Sequence, residues 1–273
     1  MSTPRVSVIM PVFNTATYLG EAITSILTQS FSDFELIIIN DGSTDDSQAV
    51  IRSFHDMRII YLENEKNMGL VYTLNRAIDA AKGEWIARMD GDDISLPGRF
   101  GEQLLYLARH PEVDVLACRV QLIDESGNET TNWLDDVTAI TPEQIMDHLA
   151  VDNCIAHPSV MIRTDVLKTY RYLPEQSQAE DYDLWLRLVT TGKIIHKLDK
   201  ILVKHRIISS SFTRVRQQNV YAKLAETKFR FVAYAKKNGI RGSLVRKVYI
   251  NACMDKVLSW IKPLKRRIWG TGS

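Results

Sequence analysis

The stretch Phe34–Asn40, FELIIIN, decides the fold. It is almost continuously apolar, with little alternation, which is the pattern of a strand covered on both faces in a parallel sheet. Asp41-Gly42-Ser43 ends it, and Ser43 with Asp46 three residues on resembles a capping box opening a helix through Phe54. Upstream, Val6–Met10 reads as a short strand stopped by Pro11, and Thr17–Gln29 puts Leu19, Ile23, Ile26 and Leu27 on one helical face. Downstream, Arg58–Leu62 reads as a third strand and Gly69–Ala81 as a helix closed by Gly83. Glu84–Met89 is a fourth strand running into the acidic Asp90-Gly91-Asp92-Asp93. Strands and helices alternating across short connections predict an α/β fold with a doubly wound, mostly parallel sheet.

Beyond Leu96 the order loosens. Leu96–Arg109 reads as helix, Val113–Ile123 as one or two strands, and Asp124–Thr138 as a polar segment turning at Gly127-Asn128. A helix near Pro142–Ala150 precedes the stretch AHPSVMIR, and Glu180–Thr191 is a helix carrying Trp185. Two short β runs follow at Lys193–Lys197 and Ile201–Arg206, and from Gln217 the chain reads as helical and basic. The best boundary falls within 207–216. It divides a body, 1–213, from a C-terminal helical extension, 214–273.

The 273 residues are 45% hydrophobic and 25% charged, enough apolar content for a buried core and too much for wholesale disorder. Cys118, Cys154 and Cys253 are far apart and in no C-x-x-C pair. A disulfide framework and a thiolate zinc site are therefore not expected, and a reducing compartment is. Neither a signal peptide nor a membrane span is read. The net charge of +1 hides an asymmetry: residues 214–273 carry 15 Lys and Arg against Glu226 and Asp255, a net +13, leaving −12 for residues 1–213.

In an open parallel sheet, ligands bind outside the carboxyl ends of the strands. The informative residues are therefore Pro11-Val12-Phe13-Asn14, Asp41-Gly42-Ser43 and Asp90-Gly91-Asp92-Asp93. Three carboxylates within four residues repel one another unless something positive sits among them. A hard divalent cation with open positions for phosphate oxygens is the natural partner, and a diphosphate held on it is a good leaving group. The chain has no G-x-G-x-x-G after its first strand and no G-x-x-x-x-G-K-[ST], so hydride-transfer and P-loop chemistry lack their phosphate cradles.

Four runs together, VSVIMPVFN (6–14), IIINDGSTDDS (37–47), NMGLVYTLNRAIDAAKGEWIARMDGDDISLPGRF (67–100) and AEDYDLWLRL (179–188), resemble family 2 glycosyltransferases. These are inverting enzymes of the GT-A fold that use nucleotide-diphosphate sugars. The resemblance covers roughly residues 5–213 and implies a role for each matching position. Pro11, Val12 and Phe13 would line the base and ribose pocket, and Asp41 would accept a hydrogen bond from the base, commonly uracil. Asp90 would face ribose or sugar, Asp92 would bind Mn²⁺ or Mg²⁺, and Asp93 would help. Asp181, in the pair Glu180-Asp181, would be the general base toward an acceptor hydroxyl. One position departs: relatives carry a pattern like Y-R-x-H-x-x-S-x-S where this chain has His205-Arg206-Ile207-Ile208-Ser209-Ser210-Ser211. Ile208 stands at the histidine position, and any metal or diphosphate role of that histidine is vacant or falls to His205 or Arg206.

Blander readings stand beside these. Asp41 could merely cap a helix, Asp181 could be an ordinary first-turn carboxylate, and His157 could face the acceptor or be a loop histidine. Trp185, Cys118 and Cys154 read as packing residues. In the tail, Arg246–Trp269 mixes aliphatics and tryptophans with dense positive charge, and Pro263 is expected to interrupt any long helix. An anionic membrane surface is the leading partner for it, a homodimer contact the alternative, and nucleic acid is not expected. The resulting expectation is a cytoplasmic, membrane-peripheral enzyme of polysaccharide biosynthesis, acting on a glycan or lipid-linked acceptor with a UDP-sugar donor. The alternative is a catalytically inactive sugar-nucleotide-binding partner in a polysaccharide assembly complex.

Overall fold

Strand β2, Phe34–Asn40, is buried along its whole length. It pairs in parallel with β1, Val6–Val12, on one side and β3, Ile59–Glu63, on the other. The computed structural model describes residues 3–176, 179–208 and 220–269. Its remaining strands are β4 (Trp85–Arg88), β5 (Ile94–Ser95), β6 (Val115–Ile123), β7 (Met161–Arg163) and β8 (Ile195–Arg206). One sheet runs in the order β3-β2-β1-β4-β7-β6-β8-β5. The pairs β1–β2, β2–β3, β1–β4 and β6–β8 are parallel; β4–β7, β6–β7 and β5–β8 are antiparallel. The sheet is thus mostly parallel, and it reverses its winding between β1 and β4.

Alternate residues of the central strands feed two separate cores. Val8, Met10, Leu36 and Ile38 meet Leu19, Ile23 and Ile26 of α1 (Ala16–Leu27) and Phe100 of α4 (Arg99–Arg109). Ile9, Ile37 and Ile39 meet Leu74 and Ile78 of α3 (Leu70–Ala80) and Trp185 of α8 (Glu180–Thr190) on the other face. The period-2 geometry of a strand makes this division, and helices on both faces make the sheet doubly wound. Trp185, Cys118 and Cys154 are buried packing residues, as the sequence suggests, and the cysteines are free.

The C-terminal helices are α9 (Val220–Lys237) and α10 (Ser243–Trp269). Phe231 and Ala235 of α9 and Leu244 and Val248 of α10 join the core that contains Trp185. The expected boundary at 213 lies outside the described residues. The tail helix is not interrupted at Pro263: it forfeits one bond, to the Ser259 carbonyl, and the helix continues to Trp269.

Other expectations are corrected as well. Pro11 does not stop β1, which runs on to Val12. The pairing with β4 ends at Ile9–Arg88, and Ile9 turns its carbonyl toward that side, accepting from Met89 N at 3.1 Å. Two residues on, Pro11 turns its nitrogen to the same side, where no strand waits for a donor. Ser43 and Asp46 form no capping box, and α2 is only Ser47–Arg52. The Ser43 hydroxyl instead accepts from Asn14 N at 3.1 Å, and Asp45 accepts from Ala16 N at 3.0 Å. The two β runs at 193–206 are one strand, β8, whose pairing with β6 shifts register around Arg119. Two short strands and two short α-helices were not foreseen, β5, β7, α5 (Leu134–Thr138) and α7 (Thr164–Tyr170), nor were the 3-10 turns at His157–Ser159 and Pro174–Gln176. The expected helix at 142–150 is α6 (Pro142–Leu149), opened by a capping box between Thr141 and Gln144.

Candidate active site

The carboxyl ends of β1, β2 and β4 come out on one rim, at the point where the winding reverses, and the acidic run leaves β4 there. Asp90, Asp92 and Asp93 each offer a carboxylate oxygen within 4.8 Å of the others. The loop is held from below. Asp93 is fully buried and accepts from Arg206 N at 2.8 Å. His205 Nδ1 lies 3.1 and 3.0 Å from its two oxygens. Arg206 donates from Nε to the Asp92 carbonyl at 2.9 Å and from Nη2 to Glu21 at 2.7 Å. Its guanidinium also lies 4.4 Å above the Tyr18 ring. Asp90 pairs with Arg88, whose guanidinium is buried in β4 beneath the loop. Gly91 lets the loop close over α1, because a Cβ there would stand 2.9 Å from the Thr15 hydroxyl.

The cluster divides by charge partner. Asp93 has His205 and Asp90 has Arg88, while no hydrogen bond from the described residues reaches the Asp92 carboxylate. Burial first, then repulsion from Asp93 and Asp90, pushes the Asp92 carboxyl up to about 8. Burial opposes the His205 imidazolium, yet the charge and hydrogen bonds of Asp93, with Asp90 and Asp92 behind, push it up to about 9. A cluster of hard oxygen donors that holds a proton at neutral pH fits a Mg²⁺ or Mn²⁺ ion, which would replace that proton. Of the two candidates to stand in for the missing histidine, Arg206 is committed to holding the loop, and His205 reaches the cluster through Asp93. Ile208 occupies the departing position, and Ser209–Ser211 lie outside the described residues.

Asp41 lies at the end of β2, 3% exposed. Oδ1 accepts from Asn64 Nδ2 at 2.6 Å and Met68 N at 2.8 Å, and Oδ2 accepts from Gly69 N at 2.9 Å. Asp41 therefore anchors the N-terminus of α3, and about one of a carboxylate's four acceptor positions is left over. Gly42 beside it has φ +67, and a Cβ would stand 2.5 Å from the Lys66 carbonyl carbon, so only glycine lets the loops close together. Of the three residues after β1, Pro11 and Val12 are buried, Val12 in the sheet core, and Phe13 exposes its ring.

Asp181 stands in the first turn of α8, where the helix dipole favours an anion. Oδ2 accepts from Asn153 Nδ2 at 2.8 Å and Oδ1 from Tyr182 N at 2.7 Å. Glu180 is buried beside it. Burial pushes the Tyr172 phenol well up; Arg88 opposes this, and Glu180 and Asp181 add to it. Tyr172 is thus within electrostatic reach of both Arg88, the partner of Asp90, and Asp181. Its hydroxyl meets His157 Nε2 at 2.8 Å. His157 is buried, and burial with the nearby Arg88 holds its imidazole well below the usual range, so it is a neutral packing residue.

The sequence reading missed Arg88, Arg206 as the loop anchor, and Asn153. Only Arg88 leaves a signal, as a lone cation in the strand WIAR immediately before the acidic run.

Comparison with known proteins identifies the family. Residues 7–171 match the glycosyl transferase family 2 pattern. The O-antigen biosynthesis glycosyltransferase WbnJ of Escherichia coli is 33% identical over 213 residues, covering 76% of this chain and 81% of that one. The crystal structure of S. aureus TarS 1-349 in complex with UDP-GlcNAc superposes with a TM-score of 0.72 at 18% identity, covering 98% and 76% of the two chains. The mannosyltransferase PcManGT from Pyrobaculum calidifontis, in complex with GDP-Man and Mn²⁺, gives 0.66 at 15% identity, covering 100% and 77%. With its GT-A fold and this family pattern, the chain belongs to glycosyltransferase family 2.

Proposed function

We propose that this glycosyltransferase moves a sugar from a nucleotide-diphosphate donor, a UDP-sugar, to a hydroxyl of a glycan or lipid-linked acceptor in polysaccharide synthesis, with inversion at the anomeric carbon. The observation that carries the reading is the Asp90–Asp92–Asp93 cluster on the rim of β4, with the Asp92 carboxylate unclaimed by the described residues. Asp92 and Asp90 would hold Mn²⁺ or Mg²⁺, and that cation when bound neutralises charge developing on the diphosphate. Asp93 stays with His205 and Arg206 as the support of the loop.

The remaining roles fall to the chain's own groups. Phe13 presents the exposed ring for the base, while Pro11 and Val12 shape the wall behind it. Asp41 orders the turn before α3 and keeps an acceptor position toward the base. Asp181 takes the acceptor hydroxyl's proton as that oxygen bonds to the anomeric carbon and the bond to the diphosphate breaks on the opposite face. Asn153 holds Asp181 in place, and Glu180 backs it from the core. Localisation at the inner face of the cell membrane belongs to the same reading.

The test is a thermal-shift panel of nucleotides and sugar nucleotides with and without Mn²⁺, on wild type and Asp92→Ala. A ligand at about 100 times its Kd stabilises by roughly 2.7 kcal/mol. A Mn²⁺-dependent shift with UDP or one UDP-sugar, lost in Asp92→Ala, supports the donor site. No shift with any nucleotide overturns it. Product NMR showing retained anomeric configuration overturns the inverting step alone.

A further inference from the structure

Helix α10 has a buried face and, opposite it, an exposed apolar one. The buried face carries Leu244, Val248, Ala252 and Ser259, with Asp255 among them paired to Lys228 of α9 at 2.6 Å. At 100° per residue, the opposite face is formed by Tyr249, Ile250, Met254, Val257, Trp260 and Ile261. These six are between 42% and 64% exposed. Tyr249 meets the Phe229 ring of α9 edge-on at 6.2 Å. Surface helices of globular proteins normally turn polar side chains outward, yet Ile250, Met254, Val257, Trp260 and Ile261 stay half or more open to solvent, or nearly so.

We propose that this outer face of α10 is an interfacial surface that lies on an anionic lipid bilayer. The placement of charge selects this occupant. On the helical wheel Lys256 and Lys247 border the stripe on either side, and Arg246 falls within it; all three are exposed. Lys247 meets Asp147 at 2.7 Å, with both side chains more than half exposed, and such a surface pair exchanges readily. Lys256 also sits 5.8 Å from the Trp260 ring, an amphipathic pair of the kind that settles at headgroup depth. Aliphatic side chains enter the boundary of the acyl region while flanking cations meet phosphates.

A second copy of the chain fits the stripe poorly. In a two-fold contact the same patch meets itself, which would bring together two copies of a stripe that holds Arg246 and is bordered by Lys247 and Lys256, with no acid on it to compensate. The segment 214–273 as a whole carries +13 and the rest of the chain −12. An anionic surface therefore attracts the helical end and repels the body. That sets one orientation, with the outer side of α10 down. The inference deepens the membrane localisation proposed above and rests on that part of the reading, while the donor chemistry stands or falls separately.

The test is co-sedimentation of the full chain with phosphatidylcholine vesicles and with vesicles containing phosphatidylglycerol, at low and high salt. The variants are Ile250→Asp with Val257→Asp, and separately Trp260→Ala, all at exposed positions. Circular dichroism checks that each folds, and analytical ultracentrifugation gives the oligomeric state. The expected result is binding to phosphatidylglycerol vesicles that weakens with salt and falls roughly ten-fold or more in the double variant. Trp260→Ala should give a smaller loss. Absence of binding to either vesicle overturns the proposal. So does binding that the double variant leaves unchanged, since the tail's charge alone would then account for it. A wild-type dimer that Ile250→Asp with Val257→Asp dissociates would also overturn it, in favour of a second copy as the occupant.

Discussion

His205 Nδ1 lies 3.1 and 3.0 Å from the two oxygens of Asp93, across 112 positions of sequence. The pair joins the end of the long strand β8 to the acidic loop after β4. It sets the His205 imidazolium against the fully buried Asp93 side chain, whose charge holds that imidazolium up to about 9. Asp92, with no such partner among the described residues, holds a proton instead. Several outcomes are expected from this division.

The metal-free protein should lose stability as pH rises above neutrality. Asp92 is raised from 3.8 to about 8 and His205 from 6.5 to about 9, so the fold binds both protons more tightly than the unfolded chain does. The Asp92 contribution is full below about pH 4 and is lost on rising to about 8; that of His205 is full below about 6.5 and is lost by about 9. Thermal denaturation between pH 6.5 and 9 should therefore show a falling Tm without divalent cation and a smaller fall with Mn²⁺. Calorimetry at pH 7 in buffers of different ionisation enthalpy should detect about one proton released on binding Mn²⁺. A flat Tm profile together with no proton release contradicts this account.

Asp181→Asn should separate binding from chemistry. The amide keeps the size of the carboxylate but cannot take a proton, so transfer should fall by about 10²–10⁴-fold. The donor-induced thermal shift should stay within error of wild type. If transfer persists near the wild-type rate, the base is another group.

Arg206→Lys should behave as a loss rather than a conservative change. Arg206 spreads its donors over the Asp92 carbonyl, Glu21 and the carbonyls of Asp124 and Glu125. A lysine offers one point charge where the fork is needed. The cost should be about 2–3 kcal/mol in denaturant unfolding, from the charge-assisted bonds given up. Weaker Mn²⁺ binding should accompany it, because the loop loses one of its ties to β8, the side-chain bond to the Asp92 carbonyl. Full stability in the lysine variant rules out the anchoring role.

Asp41→Asn should weaken the turn before α3 and the donor site together. Both carboxylate oxygens accept hydrogen bonds, two of them from the backbone of Met68 and Gly69. An amide group must turn its NH₂ toward one of those donors, which leaves a buried polar group unsatisfied at a cost of about 1–3 kcal/mol. Chemical denaturation measures the first effect, and nucleotide thermal shift the second. An unchanged unfolding midpoint would contradict the anchoring geometry.

The parts of the fold legible in sequence are those in which local pattern and tertiary demand coincide. FELIIIN is strand for its whole length because burial on both faces needs an unbroken apolar run. The pieces that escaped are short and are held by distant partners. The two-residue β5 exists only because β8 lies beside it, and the three-residue β7 only because it bridges β4 and β6. Ser43 and Asp46 looked like a cap, but Ser43 serves the backbone of Asn14 instead, a partner 29 positions away. Pro11 looked like a stop because the sequence does not show that β4 has already ended beside it.

The sequence by itself determined that a doubly wound sheet would carry an acidic run at the end of a buried strand, because hydrophobic period and strand order are local properties of the chain. It also determined the family, because four motifs stand together in order. Which partners Asp92 and Asp93 meet was decided by the tertiary structure. Arg88 stands two residues before Asp90, but His205 and Arg206 approach Asp93 and Asp92 only once β4 and β8 are in place. Charge compensation falls off with distance through space, and distance along the chain carries almost no information about it.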